Sequence, residues 1–136
     1  MSSSDRKKCV LVMDDSILAL ELSRDALEEA DFRVLVATDA NELARHLDAT
    51  AAAGETIDLI ILDMQMPEVL GDKLAAGLKT DRGVRVPILL CSGHDEATLA
   101  QRARSAAIDG YISKQAGLDA MVARVRSLLQ SSDTSV

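Results

Sequence analysis

Three carboxylates, one hydroxyl and one ammonium each stand at the end of a short apolar run. Asp14 and Asp15 follow residues 9–13, Asp63 follows 57–62, Ser92 follows 88–91, and Lys114 lies just beyond 111–112. If the runs are parallel strands, these residues share one edge, because open α/β sheets bind ligands beyond the carboxyl ends of their strands. Three acids at such an edge repel: at about 4 Å each pair costs about 1 kcal/mol in water and about 4 at a protein-surface dielectric. A hard divalent cation offsets that repulsion, and carboxylates without His or Cys select Mg²⁺, Mn²⁺ or Ca²⁺ over zinc. With the metal, Lys114 and Ser92 could hold the three equatorial oxygens of a phosphoryl group in transfer. Asp63, with the central run and a loop after it, is then the expected nucleophile, forming a labile acyl phosphate.

The elements that must position these groups are legible in the hydropathy pattern. Apolar runs at 9–13, 34–37, 57–62, 88–91 and 111–112 are each followed by a stretch of helical character. Runs apolar throughout suit parallel strands buried on both faces by crossover helices, so five βα units are expected. After Ser16, an expected N-cap, Ala19, Leu22, Ala26, Leu27 and Ala30 recur on one helical face, with Leu18 and Leu20 off it. Leu118, Met121, Val122, Val125, Leu128 and Leu129 repeat the pattern near the C-terminus, with Arg124 and Arg126 outside it. Thinner stripes at Leu43 and Leu47, Leu74 and Leu78, and Leu99 and Ala103 suggest three further helices. Gly54 is expected to end the second helix region, and Pro87 to open the fourth strand.

Composition narrows the function classes. The chain of 136 residues fits one domain, with a core at about 8–129 and polar tails at both ends. With one Phe, one Tyr and no Trp, the core must be aliphatic, and aromatic platforms for stacking nucleic-acid bases are lacking. A net charge of −7 argues against attraction to nucleic acids or anionic membranes. No run is long enough to span a bilayer, and the polar start reads as no signal peptide. Cys9 and Cys91 lie inside apolar runs and read as buried small hydrophobes in a reducing, cytoplasmic setting.

The run ILDMQMPEVLG, with Asp63, Met66, Pro67 and Gly71, stands with MDDS at Asp14 and Asp15, CSG at Ser92, and YISK at Tyr111 and Lys114. Together these motifs resemble the receiver domain of bacterial two-component response regulators, from about Lys8 to Leu129. The resemblance implies a flavodoxin-like (βα)5 three-layer sandwich with a parallel five-stranded sheet in the order 2-1-3-4-5. It implies that Asp63 takes phosphate from a histidine kinase or histidine phosphotransfer protein, and that Asp14, Asp15, Asp63 and the Gln65 carbonyl hold Mg²⁺ or Mn²⁺. Ser92 and Lys114 would bind the phosphoryl oxygens. Ser92 and Tyr111 would act as the conformational switch, and Gln65 and His94 would modulate phosphoryl lifetime. A downstream protein would meet the fourth helix, fifth strand and fifth helix, and a homodimer stays open. Leu18 and Leu20, on the first helix, would face the phosphoryl donor.

Two departures from the family pattern stand out. Gln115 follows Lys114 where Pro is customary, which removes the usual basis for a cis peptide there. Leu70 replaces a commonly acidic residue before Gly71 and is read as neutral. The expected protein is not an enzyme in the ordinary sense, since it catalyses only its own phosphorylation and dephosphorylation. A haloacid-dehalogenase-type enzyme would need an acid two residues after the nucleophile, where Gln65 stands. A flavodoxin would need a hydroxyl- and glycine-rich phosphate loop after the first strand, where the acids of MDDS would repel the phosphate. The remaining alternative is a pseudo-receiver, a protein-interaction module not regulated by phosphorylation.

Overall fold

The structure is a computed structural model and describes residues 7–63, 86–92, 110–113 and 116–133. The elements run β1 (Cys9–Met13), α1 (Ile17–Glu29), β2 (Arg33–Ala37), α2 (Ala40–Ala53), β3 (Leu59–Asp63), β4 (Ile88–Ser92), β5 (Gly110–Ser113) and α3 (Leu118–Asp133). The strands form one five-stranded sheet in the order β2-β1-β3-β4-β5. Every pairing is parallel. The expected helices around Leu74 and Leu78 and around Leu99 and Ala103 lie outside the described residues, and the expected fifth helix is α3.

Both faces of the sheet are apolar because successive strand residues point to opposite sides. Leu11, Met13, Ile60, Leu62 and Leu90 form one cluster with Leu43 of α2. Val10, Val12, Leu59, Ile61, Leu89 and Ile112 form another with Leu20 and Leu27 of α1 and Met121, Val125 and Leu129 of α3. The strand residues of both clusters are almost completely buried. Each fully buried Leu or Ile contributes about 1.5–3 kcal/mol of transfer free energy. At the β5 edge α3 packs close: a Cβ on Gly110 would stand 3.3 Å from a Leu128 methyl.

Beyond one-residue shifts at strand ends, three features depart from the sequence reading. Residue 57 was expected to open the third strand, but β3 begins at Leu59. Asp58 accounts for the shift, since its carboxylate accepts from the Cys9 amide at 2.8 Å, where a backbone carbonyl would have extended the ladder. On α1, Leu20 is 3 % exposed and Leu22 48 % exposed, the reverse of the expected stripe. The spacing fits either phase and Leu27 is common to both; with only alanines otherwise beside Leu22, burying Leu20 a helical heptad from Leu27 settles the phase. Finally, α3 continues to Asp133, so the polar residues after Leu129 extend the helix.

The caps follow expectation where they were legible. Ser16 caps α1, its Oγ accepting from the Ala19 amide at 3.2 Å. Gly54 ends α2 at φ +72°, a left-handed conformation that glycine adopts without a Cβ clash. Asp39 opens α2 by accepting from the Glu42 amide at 2.9 Å. Glu42 reaches back to Thr38, accepting from its amide at 2.6 Å and from its hydroxyl. This reciprocal arrangement is a capping box displaced by one residue. Further along α2, His46 Nε2 lies 2.8 Å from the Val36 carbonyl oxygen of β2.

The Thr38 hydrogen bonds favour the charged Glu42 carboxylate and hold its pKa below the ordinary 4.5. A depressed folded-state value means the stabilisation is present above the unfolded-state value and is lost as pH falls through the folded one. The wild type is therefore expected to be more stable than Glu42→Gln at neutral pH. The difference should shrink in acid below about pH 4.5, as read by urea unfolding across the pH range.

Candidate functional site

The carboxyl edge of the sheet is built by the strand register. Met13 pairs with Leu62, so Asp14 and Asp63 are the next residues on adjacent strands. Asp63 pairs with Cys91 on β4, and Ser92 pairs with Ser113 on β5, the residue before Lys114. The backbone thus gathers the ends of four strands along one line. At Asp63 and Ser92 the description extends to the backbone only.

Asp14 is the most tightly fixed of these groups. Its amide donates to the Ala37 carbonyl at 3.1 Å, continuing the ladder between β1 and β2 by one rung. Its Oδ1 accepts from the Ser16 amide at 3.0 Å, a local turn that leads directly into the α1 cap. The residue is 6 % exposed, whereas Asp15 is exposed. Both acids precede the N-terminus of α1, whose dipole favours negative charge and offsets part of their repulsion. Carboxylates without imidazole or thiolate are a donor set for a hard cation. Among the described residues no group of three or more such ligands occurs, and Asp14 and Asp15 are two of the expected set.

Tyr111 is half-buried on β5 and packs against the cluster containing Ile88 and Leu90. The Arg124 guanidinium carbon lies 5.9 Å from its ring centroid. Lys114, Gln65 and His94 lie outside the described residues, as do Met66, Pro67, Leu70, Gly71 and Gln115. Cys9 is buried and Cys91 half-buried, and neither forms a disulfide among the described residues.

Two features beside the expected residues were not read from the sequence. A cavity of about 230 Å³ lies between α1, α3 and the sheet, bounded by Asp14, Ala19, Leu22, Ile61, Ile112 and Met121. Its rim carries Leu22 and Leu118, and Ile17 and Leu18 stand exposed on the same helix as Leu22. Arg124 is the second, because a residue outside an apolar stripe reads as solvated and its aromatic partner lies on another element. The only signal for it would have been the single Tyr in a chain whose one other Phe, Tyr or Trp residue is Phe32.

Residues 10–126 match the response regulator receiver domain. The chain belongs to that family. Among curated proteins, this receiver is 32 % identical over 127 residues to the alkaline phosphatase synthesis transcriptional regulatory protein SphR of Synechococcus elongatus, covering 90 % of this chain and 49 % of SphR. It thus spans about half the length of that relative. It is 28 % identical over 126 residues to the polar-differentiation response regulator DivK of Brucella ovis, covering 90 % of this chain and 96 % of DivK. The receiver also superposes on a CheY-like receiver domain protein from Methanospirillum hungatei with a TM-score of 0.80 at 19 % identity, covering 96 % of this chain and all of that one. With the chemotaxis protein CheY4 of Vibrio cholerae the TM-score is 0.74 at 21 % identity, over 90 % of this chain and 99 % of that one. At those identities the likeness is one of fold, and it agrees with the flavodoxin-like strand order. No helix among the described residues is long and apolar enough to cross a membrane.

Proposed function

We propose that this receiver accepts a phosphoryl group on Asp63 and changes its protein contacts in response. The observation that supports the reading is the register at the carboxyl edge, which sets the β3 end beside Asp14 and the β4 end beside the residue before Lys114. In the transfer, a carboxylate oxygen of Asp63 forms a bond to phosphorus as the bond to the donor's histidine nitrogen breaks, and the histidine leaves as imidazole. Water later cleaves the acyl phosphate, returning the Asp63 carboxylate and inorganic phosphate. Asp14, Asp15, Asp63 and the Gln65 carbonyl would hold Mg²⁺ or Mn²⁺, which supplies positive charge against the phosphoryl oxygens. Ser92 and Lys114 donate to the remaining oxygens, and Gln65 and His94 govern water access to the product. The receiver has no other substrate on this reading and works in the cytoplasm.

Incubation with acetyl phosphate should give one phosphoryl adduct by intact-protein mass spectrometry, dependent on Mg²⁺. If no adduct forms under any condition and beryllofluoride also fails to bind, a pseudo-receiver replaces this reading.

The phosphoryl donor is a histidine kinase or histidine phosphotransfer protein meeting the apolar end of α1. Leu18 is 67 % exposed beside the exposed Ile17 and one helical turn from Leu22, which lines the cavity, while Leu20 is buried and takes no part. Central apolar contacts of this kind carry more than about 1 kcal/mol when lost. Leu18→Glu is therefore expected to slow phosphotransfer from the cognate kinase by about tenfold, equivalent to about 1.4 kcal/mol, while labelling by acetyl phosphate stays unchanged. Equal slowing with both donors would place the defect in the site instead. The downstream partner meets the fourth helix, β5 and α3.

A further inference from the structure

We propose that Arg124 is a positioning residue that holds Tyr111 in the resting conformation and so sets how readily the Asp63 site responds. The proposal rests on the phosphoryl-acceptor reading above and goes beyond it by naming what restrains the ring. Tyr111 and Ile112 point to opposite faces of β5, and α3 packs on the Ile112 face through Met121, Val125 and Leu129. Yet the Arg124 guanidinium, carried by α3, lies 5.9 Å from the Tyr111 ring centroid. Since β5 ends the strand order, the arginine reaches round the open edge of the sheet to cover the ring. Among the described residues no carboxylate pairs with Arg124, so the ring is its recorded electrostatic partner.

The strand connects the ring to the site. Tyr111 pairs with Leu90, and two residues further along the same two strands Ser92 pairs with Ser113, next to Lys114. A displacement of the β4 and β5 ends is therefore felt at the ring, and by reciprocity a restraint on the ring is felt at the strand ends. An exposed cation–π contact shifts an equilibrium constant roughly two- to fivefold. That is a modest bias, suited to tuning a switch. A ring held against Arg124 resists that displacement, so removing the contact should favour the responsive state.

Tyr111 is the sole Tyr of the chain, so its ring gives a single set of tyrosine resonances by NMR. Ring shifts and beryllofluoride affinity in Mg²⁺ would be measured in wild type, Arg124→Gln and Arg124→Lys. Expected are a shifted ring signal in Arg124→Gln before any ligand is added and beryllofluoride affinity raised roughly two- to fivefold. Arg124→Lys should return both toward wild type, and Arg124→Gln should add nothing in a Tyr111→Ala background. Unchanged or weakened affinity in Arg124→Gln, with wild type binding normally, would overturn the role of Arg124 and leave the acceptor reading intact. Absence of beryllofluoride binding in every variant, wild type included, would overturn both.

Discussion

Asp63→Asn is expected to take up no phosphoryl group from acetyl phosphate at any Mg²⁺ concentration, and to be more stable than the wild type in metal-free buffer. The first result follows from the missing nucleophile, since an amide oxygen does not form the acyl phosphate. The second follows from the site's charge. Asp14 is pinned by the Ser16 amide and the Ala37 carbonyl, so it cannot easily move away from a neighbouring carboxylate. A pair of like charges about 4 Å apart costs about 1 kcal/mol in water and more at a lower dielectric, so removing one charge relieves that repulsion. Saturating Mg²⁺ should reverse the order: at a concentration of 100 Kd the wild type gains about 2.7 kcal/mol by mass action, and the variant gains less. Urea unfolding with and without Mg²⁺ reads both signs. A variant less stable than wild type in metal-free buffer would mean that Asp63 serves the fold and not a charged site.

Leu62→Ala should cost about 2–5 kcal/mol, a large share of the 5–15 kcal/mol typical of a small domain. Leu62 is fully buried on the central strand, between Met13 and Leu90 in register. Both neighbours sit on rigid strands, so the cavity cannot easily collapse and the cost should lie toward the upper end. The urea midpoint should fall with an unchanged slope, the signature of lost stability without a change in compactness. Because Leu62 directly precedes Asp63, phosphoryl uptake in folded variant protein would also show whether packing beneath the site sets its geometry. A loss below about 1 kcal/mol would contradict the packing described for this face.

The strands were legible because burial on both sides leaves no polar alternation to confuse them: 9–13 in the sequence is β1 in the structure. The strand-end residues followed from that reading, since a parallel sheet sends all its carboxyl ends to one edge. What failed did so for local reasons. On α1 the stripe of Ala19, Leu22, Ala26, Leu27 and Ala30 holds at Leu27, but its three alanines carry too little area to fix the phase, so the helix buries Leu20 and exposes Leu22. The run at 57–62 reads as one strand from its start, and only the Asp58 bond to the Cys9 amide reveals why the ladder starts later. Arg124 was invisible for a different reason: its contact is long-range, and periodicity speaks only of an element's own faces.

The outermost strand on the other side of the sheet has a consequence for how the chain behaves when concentrated. An edge strand offers unpaired amides and carbonyls that can template a neighbouring chain and begin aggregation. At β2 the Val36 carbonyl is already engaged by His46, which α2 swings across the margin. At the strand's start Arg33 brings a charge that pairs with Glu55 at 3.1 Å, and incoming strands would have to strip that pair of water. Crowded copies of this receiver are thereby steered away from strand-to-strand stacking along β2.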